Sequence, residues 1–266
     1  MPEFPTKTPI SILASFASGS INITTEDRQT VNVVVSPYGD SERSRLAAEA
    51  IDVEFSGDSL TIEAPVNTSW HKEDRLVKVE VQAPSGSSAL INVASASVKC
   101  RGQYSQVQVN SASSEMEIDE VSGDVTINTA SGDTRIISVG GRLTANTASG
   151  DVLVANVDGS VQVNTASGDI KIAESGGDVH SKSASGDLQI GAAHSGTISA
   201  NSTSGDVSVG VVPDTGVWLD LNSKSGSISS ELDTSGDPPD THELSIQVRT
   251  VSGDIDILRA KQRAAI

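Results

Sequence analysis

Five aspartates recur at a nearly constant step along the middle of the chain, which makes them the first candidates for chemistry. Carboxylate oxygens are ligands that Ca²⁺ prefers in proteins. Calcium takes six or more oxygens, however, and one aspartate per repeat supplies too few. An aspartate that follows glycine at a turn can instead accept hydrogen bonds from backbone amides. We therefore interpret these residues as structural, with a cation ladder as the alternative: Asp133, Asp151, Asp169, Asp187 and Asp206.

The other residues that could carry chemistry form no recognisable catalytic set. The histidines lack metal-ligand spacing, and the sequence has no phosphate-binding loop, dinucleotide fingerprint or nucleophile elbow. Cys100 stands between Lys99 and Arg101, which could lower its thiol pKa, but a structural cysteine is the favoured interpretation. Trp70 and Trp218 are isolated, whereas a polysaccharide-cleaving β-helix needs an acid–base pair in an aromatic groove. The sequence therefore predicts that the protein is not an enzyme and needs no cofactor.

Glycine punctuates the middle of the chain every nine residues. Eight glycines keep this step from Gly123 to Gly186, and after a slip at Gly196 the step resumes. A fixed period of this kind is the signature of a solenoid, in which each repeat stacks on its neighbour. Every second glycine lies in a Ser-Gly-Asp corner, where Gly can adopt a backbone conformation that a Cβ disfavours. The predicted structural turns are Gly132, Gly150, Gly168, Gly186 and Gly205.

Each nine-residue segment contains a short strand in which apolar and polar residues alternate. A period of two places one set of side chains inside and the other outside. We expect two nine-residue half-coils to face each other across a flat core, which gives a coil of about 18 residues and an all-β solenoid. The expected core pairs are Val125 and Ile127, Leu143 and Ala145, Val152 and Val154, Val161 and Val163, Ile170 and Ile172, Leu188 and Ile190, Ile198 and Ala200, Val207 and Val209, and Ile255 and Ile257.

Asparagine occupies one outward position of alternate strands. Stacked amides can hydrogen bond from one coil to the next as a ladder. Lys182 and Arg249 interrupt the column. The ladder is predicted for Asn110, Asn128, Asn146 and Asn164, with Asn92, Asn201 and Asn222 in the same column.

Three segments are predicted along the chain. Residues 1–90 form an N-terminal β-strand cap, because residues 10–82 alternate without the nine-residue step and an uncovered solenoid end would expose a sheet edge. We expect a meander of longer strands there, with one short helix over Ser41–Ala50. Residues 91–258 form the solenoid, and residues 259–266 form a flexible tail.

The charge and the cysteine content limit the partners and the compartment. The formal net charge of −17 repels nucleic acid and anionic lipid. A single cysteine forms no internal disulfide. The N-terminal residues do not resemble a signal peptide, and no stretch is apolar enough to cross a membrane. We expect a cytoplasmic protein without membrane insertion, which could still associate with the envelope through a partner.

Several stretches of the chain together resemble a known family. They are the repeated NTASGDV segments, the opening PISILASFASGSINITTEDRQTVNVVVSP, the segment VWLDLNSKSGSISSEL and the closing IQVRTVSGDIDILR. From about Pro9 to Leu258 the chain is similar to the bacterial putative-adhesin family, β-strand-repeat proteins of unknown function, and most of all to its actinobacterial members without a signal peptide. The resemblance implies a right-handed β-helix and supplies no catalytic residues.

Three functions remain open at this point. The first is a non-enzymatic scaffold that displays repeated polar faces to a protein or a cell-envelope component. The second is a self-assembling solenoid that resembles the bactofilins, although the negative charge and the non-repetitive first 90 residues disfavour open-ended stacking. The third is a calcium-binding β-roll. We expect a monomer or a small oligomer.

Overall fold

The structure is a computed structural model, and it describes residues 3–65, 76–232 and 243–260. In these residues the chain forms 22 strands and one helix. Trp70, His71, His242 and residues 261–266 of the predicted tail lie outside the described residues.

β2 and β7 are long strands of 16 and 27 residues, and the other strands have three to nine residues. The first elements are β1 (Glu3–Pro5), β2 (Ser11–Glu26), β3 (Thr30–Pro37), α1 (Glu42–Glu49), β4 (Asp52–Ser56), β5 (Ser59–Glu63), β6 (Val77–Pro84), β7 (Ser87–Ser113), β8 (Met116–Val121), β9 (Val125–Ser131), β10 (Thr134–Val139) and β11 (Leu143–Ser149). The remaining elements are β12 (Val152–Val157), β13 (Val161–Ser167), β14 (Ile170–Ser175), β15 (Val179–Ser185), β16 (Leu188–Ala193), β17 (Gly196–Ser204), β18 (Val207–Val211), β19 (Val217–Ser225), β20 (Ile228–Ser230), β21 (Leu244–Ser252) and β22 (Ile255–Arg259).

The first compact unit, Met1–Arg135, combines parallel coils with antiparallel strands. β2 runs parallel to β7, so that Ile12 lies beside Ala89 and Ile21 beside Val98. β2 also pairs in parallel with β5 and β6, and β7 pairs in parallel with β8 and β9. β4 runs antiparallel to β5, β3 to β6, and β1 to β3. The first 90 residues thus contain a parallel coil, formed by β2, in addition to antiparallel strands. The proposed domain division at residue 90 remains a prediction.

The helix forms where the sequence predicts it. Ser41 caps its first turn, and the Ser41 hydroxyl accepts a hydrogen bond of 3.0 Å from the backbone N–H of Ser44. A serine at this position satisfies an N–H that has no partner within the helix. Ser44 and Ala47 are the buried residues of the helix, which packs against β3 and β6.

The second compact unit, Ile136–Ile266, is built from parallel coils in register. Val161 lies beside Val179, and Ile170 lies beside Leu188, so these coils return to their starting point after 18 residues. Val179 lies beside Ile198, and Leu188 lies beside Val207, so the next coil takes 19 residues. The strands β11, β13, β15 and β17 pair along one face, and β12, β14, β16 and β18 pair along the other. The predicted all-β solenoid with 18-residue coils is confirmed.

Aliphatic side chains from the two faces form the core. All the predicted core pairs are buried, and Leu143, Val161, Val209, Ile255 and Ile257 are completely inaccessible to solvent. Burial of a valine or isoleucine side chain contributes about 1.5–3 kcal/mol. Stability therefore accumulates coil by coil through contacts between neighbours.

The last coils do not stack in the order of the chain. β21 lies between β17 and β19, and β22 lies between β18 and β20. The coil formed by β19 and β20 is therefore the outermost one in the described part of the second unit. Trp218 on β19 is 42% exposed and Ile228 on β20 is 47% exposed.

Candidate functional site

One outer face of the second unit carries polar side chains in straight rows. The strands β11, β13, β15, β17 and β21 pair side by side in parallel, so their outward residues lie in register. We call this surface the amide face. Neighbouring residues in a row are about 4.8 Å apart. The rows are Thr144, Gln162, His180, Ser199 and Gln247, and Asn146, Asn164, Lys182, Asn201 and Arg249.

The asparagines hydrogen bond from coil to coil. In the second unit the Asn164 Nδ2 donates to the Asn146 Oδ1 at 2.9 Å. In the first unit Asn110 donates to Asn92 at 2.8 Å and Asn128 donates to Asn110 at 2.9 Å. Each of these bonds uses one of the two N–H groups of the donor amide. The role of these asparagines in binding remains a prediction.

A shallow groove runs beside the same column in the first unit. It has a volume of about 570 Å³ and is lined by Asn92 and Asn110 together with small residues. Ala17, Ala94 and Ala112 form part of this lining. The asparagine column of the first unit therefore borders a surface that an extended chain could contact.

The aspartates hydrogen bond to the backbone of the next corner. In the second unit the Asp151 Oδ1 accepts from the N–H of Asp169 at 2.9 Å, and the Asp169 Oδ1 accepts from the N–H of Asp187 at 3.0 Å. The pattern continues to Asp206 and Asp254, with distances of 2.8 Å. In the first unit, Asp133 follows Gly132, and its backbone carbonyl accepts from the N–H of Met116 at 2.9 Å. The carboxylates thus satisfy backbone donors at the corners.

The series ends at Asp254. Its Oδ1 accepts a hydrogen bond of 2.7 Å from the backbone N–H of Ser227. This bond, together with a hydrogen bond from the Ser227 side chain, holds the pKa of the Asp254 carboxyl below its usual range. Asp254 therefore remains ionised at mildly acidic pH and links β22 to the corner before β20.

We expect Asp169→Ala to destabilise the protein by about 1–2 kcal/mol, because the N–H of Asp187 loses its acceptor. Asp169→Asn keeps an oxygen at the same position and removes one of several neighbouring negative charges, so its effect is expected to be within about 0.5 kcal/mol. Urea denaturation of both variants measures the difference. Equal losses would show that the charge, and not the acceptor, is what the corner needs.

We expect millimolar calcium to leave the melting temperature unchanged. One oxygen of each carboxylate from Asp151 to Asp206 already accepts a backbone hydrogen bond. In the described part of the chain, no group of three or more His, Cys, Asp or Glu side chains is placed to hold a metal ion. Thermal melting with calcium, and with magnesium as the control, tests this expectation. A large stabilisation by calcium alone would restore the β-roll alternative, because a ligand that binds only the folded state raises its stability.

The predicted glycine corners all have positive φ values. These are 112° for Gly132, 130° for Gly150, 147° for Gly168, 128° for Gly186 and 137° for Gly205. At Gly168 a Cβ would also lie 2.2 Å from the carbonyl oxygen of Gly150 in the preceding coil. Both the positive φ and the close contact with the preceding coil therefore require glycine at position 168.

The face opposite the amide face contains a groove of about 520 Å³ in the second unit. Ala173, Gly191 and Gly210 contribute to its lining, and His194 and Glu174 lie beside them, with 4.0 Å between His194 Nε2 and Glu174 Oε2. This groove was not predicted from the sequence. A signal for it was present, because small residues recur at one outward position of β14, β16 and β18.

Three residues considered for chemistry have no catalytic setting. Cys100 is completely buried, and burial raises its pKa to about 12, so the idea of a lowered thiol pKa is wrong. Tyr104 also lies in the core and donates a hydrogen bond of 2.8 Å to the carbonyl of Ile23. Trp218 is largely exposed on β19, so it is not a core residue. His180 lies on the amide face between Gln162 and Ser199.

Solved structures that match this chain come from Bacteroides fragilis, Parabacteroides distasonis and Clostridium sporogenes. A "putative adhesin" from Bacteroides fragilis is 12% identical, with 96% of this chain and 95% of that chain covered and a TM-score of 0.47. A "putative lipid binding protein" from Parabacteroides distasonis is 15% identical, with 95% of each chain covered and a TM-score of 0.44. A "putative cell adhesion protein" from Clostridium sporogenes is 9% identical, with 94% and 92% covered and a TM-score of 0.24. No curated protein matches this chain.

The described residues contain no helix long and apolar enough to span a membrane.

A family model matches nearly the whole chain. This match confirms the family resemblance that the repeats and the two ends of the sequence indicated. With the match extending over residues 8–258, the chain belongs to the Toastrack DUF4097 family.

Proposed function

We propose that this chain is a non-enzymatic scaffold that binds a protein or a cell-envelope component through the amide face. The observation that carries the proposal is the register of the outward rows. Gln162, His180 and Ser199 form one row, and Asn164, Lys182 and Asn201 form the next, so hydrogen-bonding groups repeat at a fixed spacing. An extended partner with a matching repeat would make the same contact several times, and linked weak contacts give a high overall affinity.

The chemistry of the face favours an extended polar partner. The strands of the amide face carry no Phe, Tyr or Trp, although such side chains supply much of the energy in compact protein interfaces. Trp218 lies on the neighbouring strand β19, beside Ser245. Amides and hydroxyls can both donate and accept hydrogen bonds. Lys182 and Arg249 add positive charge to a protein whose net charge is −17. A partner with carbonyl, hydroxyl or carboxylate groups along an extended backbone fits this surface.

Matched double variants test the proposal. Gln162→Glu with Asn201→Glu places two negative charges on the amide face, and Ala173→Glu with Gln189→Glu places two on the opposite face. All four positions are exposed, so both variants are expected to fold like the natural protein. Each immobilised protein is incubated with extract of the native cell and its envelope fraction, and the retained components are identified by mass spectrometry.

The proposal predicts a component that the natural protein and the opposite-face variant retain and that the amide-face variant loses. Purified candidates are then titrated against all three proteins by calorimetry. Retention of the same components by both variants would refute the assignment to the amide face. Turnover of a retained small molecule would refute the non-enzymatic part of the proposal.

A further inference from the structure

In the described residues the coil formed by β19 and β20, which we call the terminal coil, is the last of the second unit and has no strand paired to its outer edge. In the described residues β19 pairs only with β21, and β20 pairs only with β22. Unpaired strand edges readily pair with another chain, and proteins usually protect them. The terminal coil therefore presents backbone donors and acceptors that an additional strand could use.

The interior of the terminal coil continues the aliphatic core. Leu219 lies beside Ile246, Leu221 lies beside Val248, and Ile228 lies beside Ile255. The three partners in the coil below are completely buried, whereas Leu219 and Leu221 are half-buried and Ile228 is exposed. Terminal repeats of solenoids normally carry a polar outer surface. Here the described residues of the last coil have the composition of an internal coil.

The first unit shows how this chain protects an edge. In the described residues its edge strands are β1 and β4, which are antiparallel to their neighbours β3 and β5. β1 has three residues and ends in Pro5. β4 has five residues, of which Asp52, Glu54 and Ser56 are exposed. Short strands and proline discourage further pairing. Charged side chains do so as well when no opposite charge lies across from them. The terminal coil lacks this arrangement of antiparallel strands in the described residues.

We propose that the terminal coil binds a second copy of this chain, with β19 of each copy paired antiparallel about a two-fold axis at Asn222. In this register Asp220 of one copy lies opposite Lys224 of the other, and the same pair forms twice. The Arg249 side chain holds the Asp220 Oδ2 at 2.9 Å, so the Oδ1 can face the other copy. Opposite charges directly across two strands stabilise their pairing.

The two-fold arrangement closes the assembly. A contact between identical surfaces occupies the terminal coils of both copies, so the assembly is limited to a dimer. A head-to-tail contact would leave one free end and would allow a filament to grow. In the described part of the first unit the unpaired edges belong to β1 and β4, which are protected. This inference concerns the terminal coil alone and does not depend on the function proposed for the amide face.

Sedimentation velocity of the full chain across micromolar concentrations tests the proposal, with a dimer as the expected species. Lys224→Asp makes both cross-strand pairs repulsive and is expected to raise the dimer dissociation constant about tenfold or more. Asp220→Lys is expected to do the same. An equimolar mixture of these two variants restores opposite charges and should form the mixed dimer. Lys171→Asp on β14 makes the same charge change at an exposed position away from the edge and should leave dimerisation unchanged.

Circular dichroism confirms that each variant is folded before its association is measured. A natural protein that remains monomeric at high micromolar concentration would overturn the proposal, and so would filaments of increasing length. A dimer that Lys224→Asp and Lys171→Asp affect equally would place the contact elsewhere. Failure of the two charge variants to form a mixed dimer would refute the proposed register.

Discussion

Gly132→Ala is expected to lower the free energy of unfolding of the first unit by about 3 kcal/mol. Gly132 has a φ of 112°, which an L-residue rarely adopts, and its Cβ would lie 2.0 Å from the carbonyl oxygen of Ser114. The backbone conformation alone costs about 1–2 kcal/mol, and the clash with a backbone atom of the neighbouring coil adds to it. Urea denaturation followed by circular dichroism measures the loss.

Gly39→Ala is the matched control for this substitution. Gly39 also has a positive φ, of 94°, but a Cβ there would meet no heavy atom within 4 Å. Its loss is expected to be about 1 kcal/mol, because only the backbone strain applies. If both substitutions cost the same, close stacking of the coils at the corner does not contribute to the need for glycine.

Cys100 is expected to react with a thiol reagent at least on the order of a thousandfold more slowly in the folded protein than in denaturant. The side chain has no accessible surface, so the reagent reaches it only when the surrounding strands open. Opening of a core strand costs several kcal/mol. Absorbance after addition of Ellman's reagent gives the rate. A fast reaction in the folded protein would contradict the burial of β7 in the core.

The burial of Cys100 and Tyr104 also makes the stability of the protein depend on pH. The pKa of Cys100 is raised from 9.0 to about 12, so the folded state favours the neutral thiol. Burial also raises the pKa of Tyr104. The resulting stability is fully present below pH 9 and is lost as the pH rises towards 12, because the unfolded chain releases these protons first. Cys100→Ala should reduce this alkaline loss, which urea denaturation at several pH values can measure.

The repeating part of the fold was predictable because one physical rule applies at each coil. The glycine step places a corner every nine residues, and the alternation within each strand determines which side chains enter the core. Val161 and Val163, for example, follow a corner and are both buried, whereas Gln162 between them is exposed. Once the period is known, the parallel register of identical corners follows.

The first parallel coil was harder to recognise. Residues 10–82 were predicted as a meander because the glycine step is absent there, yet β2 forms a coil that pairs with β7. A signal was present in the sequence, since Ala17-Ser18-Gly19 resembles the later corners, and Ile12 and Ile21 are nine residues apart. A single copy of the corner does not establish a period, so the interpretation needed the observed pairing.

The order of the last coils could not be predicted from the period. β19 and β21 have similar aliphatic cores and similar corners, so either could have followed β17. The structure places β21 inside, where Ile246 and Val248 are fully buried, and β19 outside. β19 carries Asp220 and Lys224 on its outward side, and charged side chains are better tolerated on an edge strand.

The asparagine column of the amide face could be predicted from the sequence, whereas the hydrogen-bond partners of the aspartates could not. The sequence indicates the asparagine column, and the hydrogen bond between Asn146 and Asn164 agrees with stacked amides. The sequence does not indicate which backbone N–H each aspartate carboxylate accepts from, because that hydrogen bond joins two coils. Asp169 accepts from the N–H of Asp187 only once the corners are aligned.

Two deletions test the central claim that 18 residues return the chain to its starting face. Removal of residues 152–169 joins Asp151 to Ile170 and eliminates one whole coil, so the remaining strands keep their faces. Removal of residues 152–160 joins Asp151 to Val161 and eliminates half a coil, which moves every later strand to the opposite face. Urea denaturation followed by circular dichroism compares the two chains. The account predicts cooperative unfolding for the chain that lacks 18 residues and loss of the folded state for the chain that lacks nine. A folded nine-residue deletion, or equal disruption by both, would contradict it.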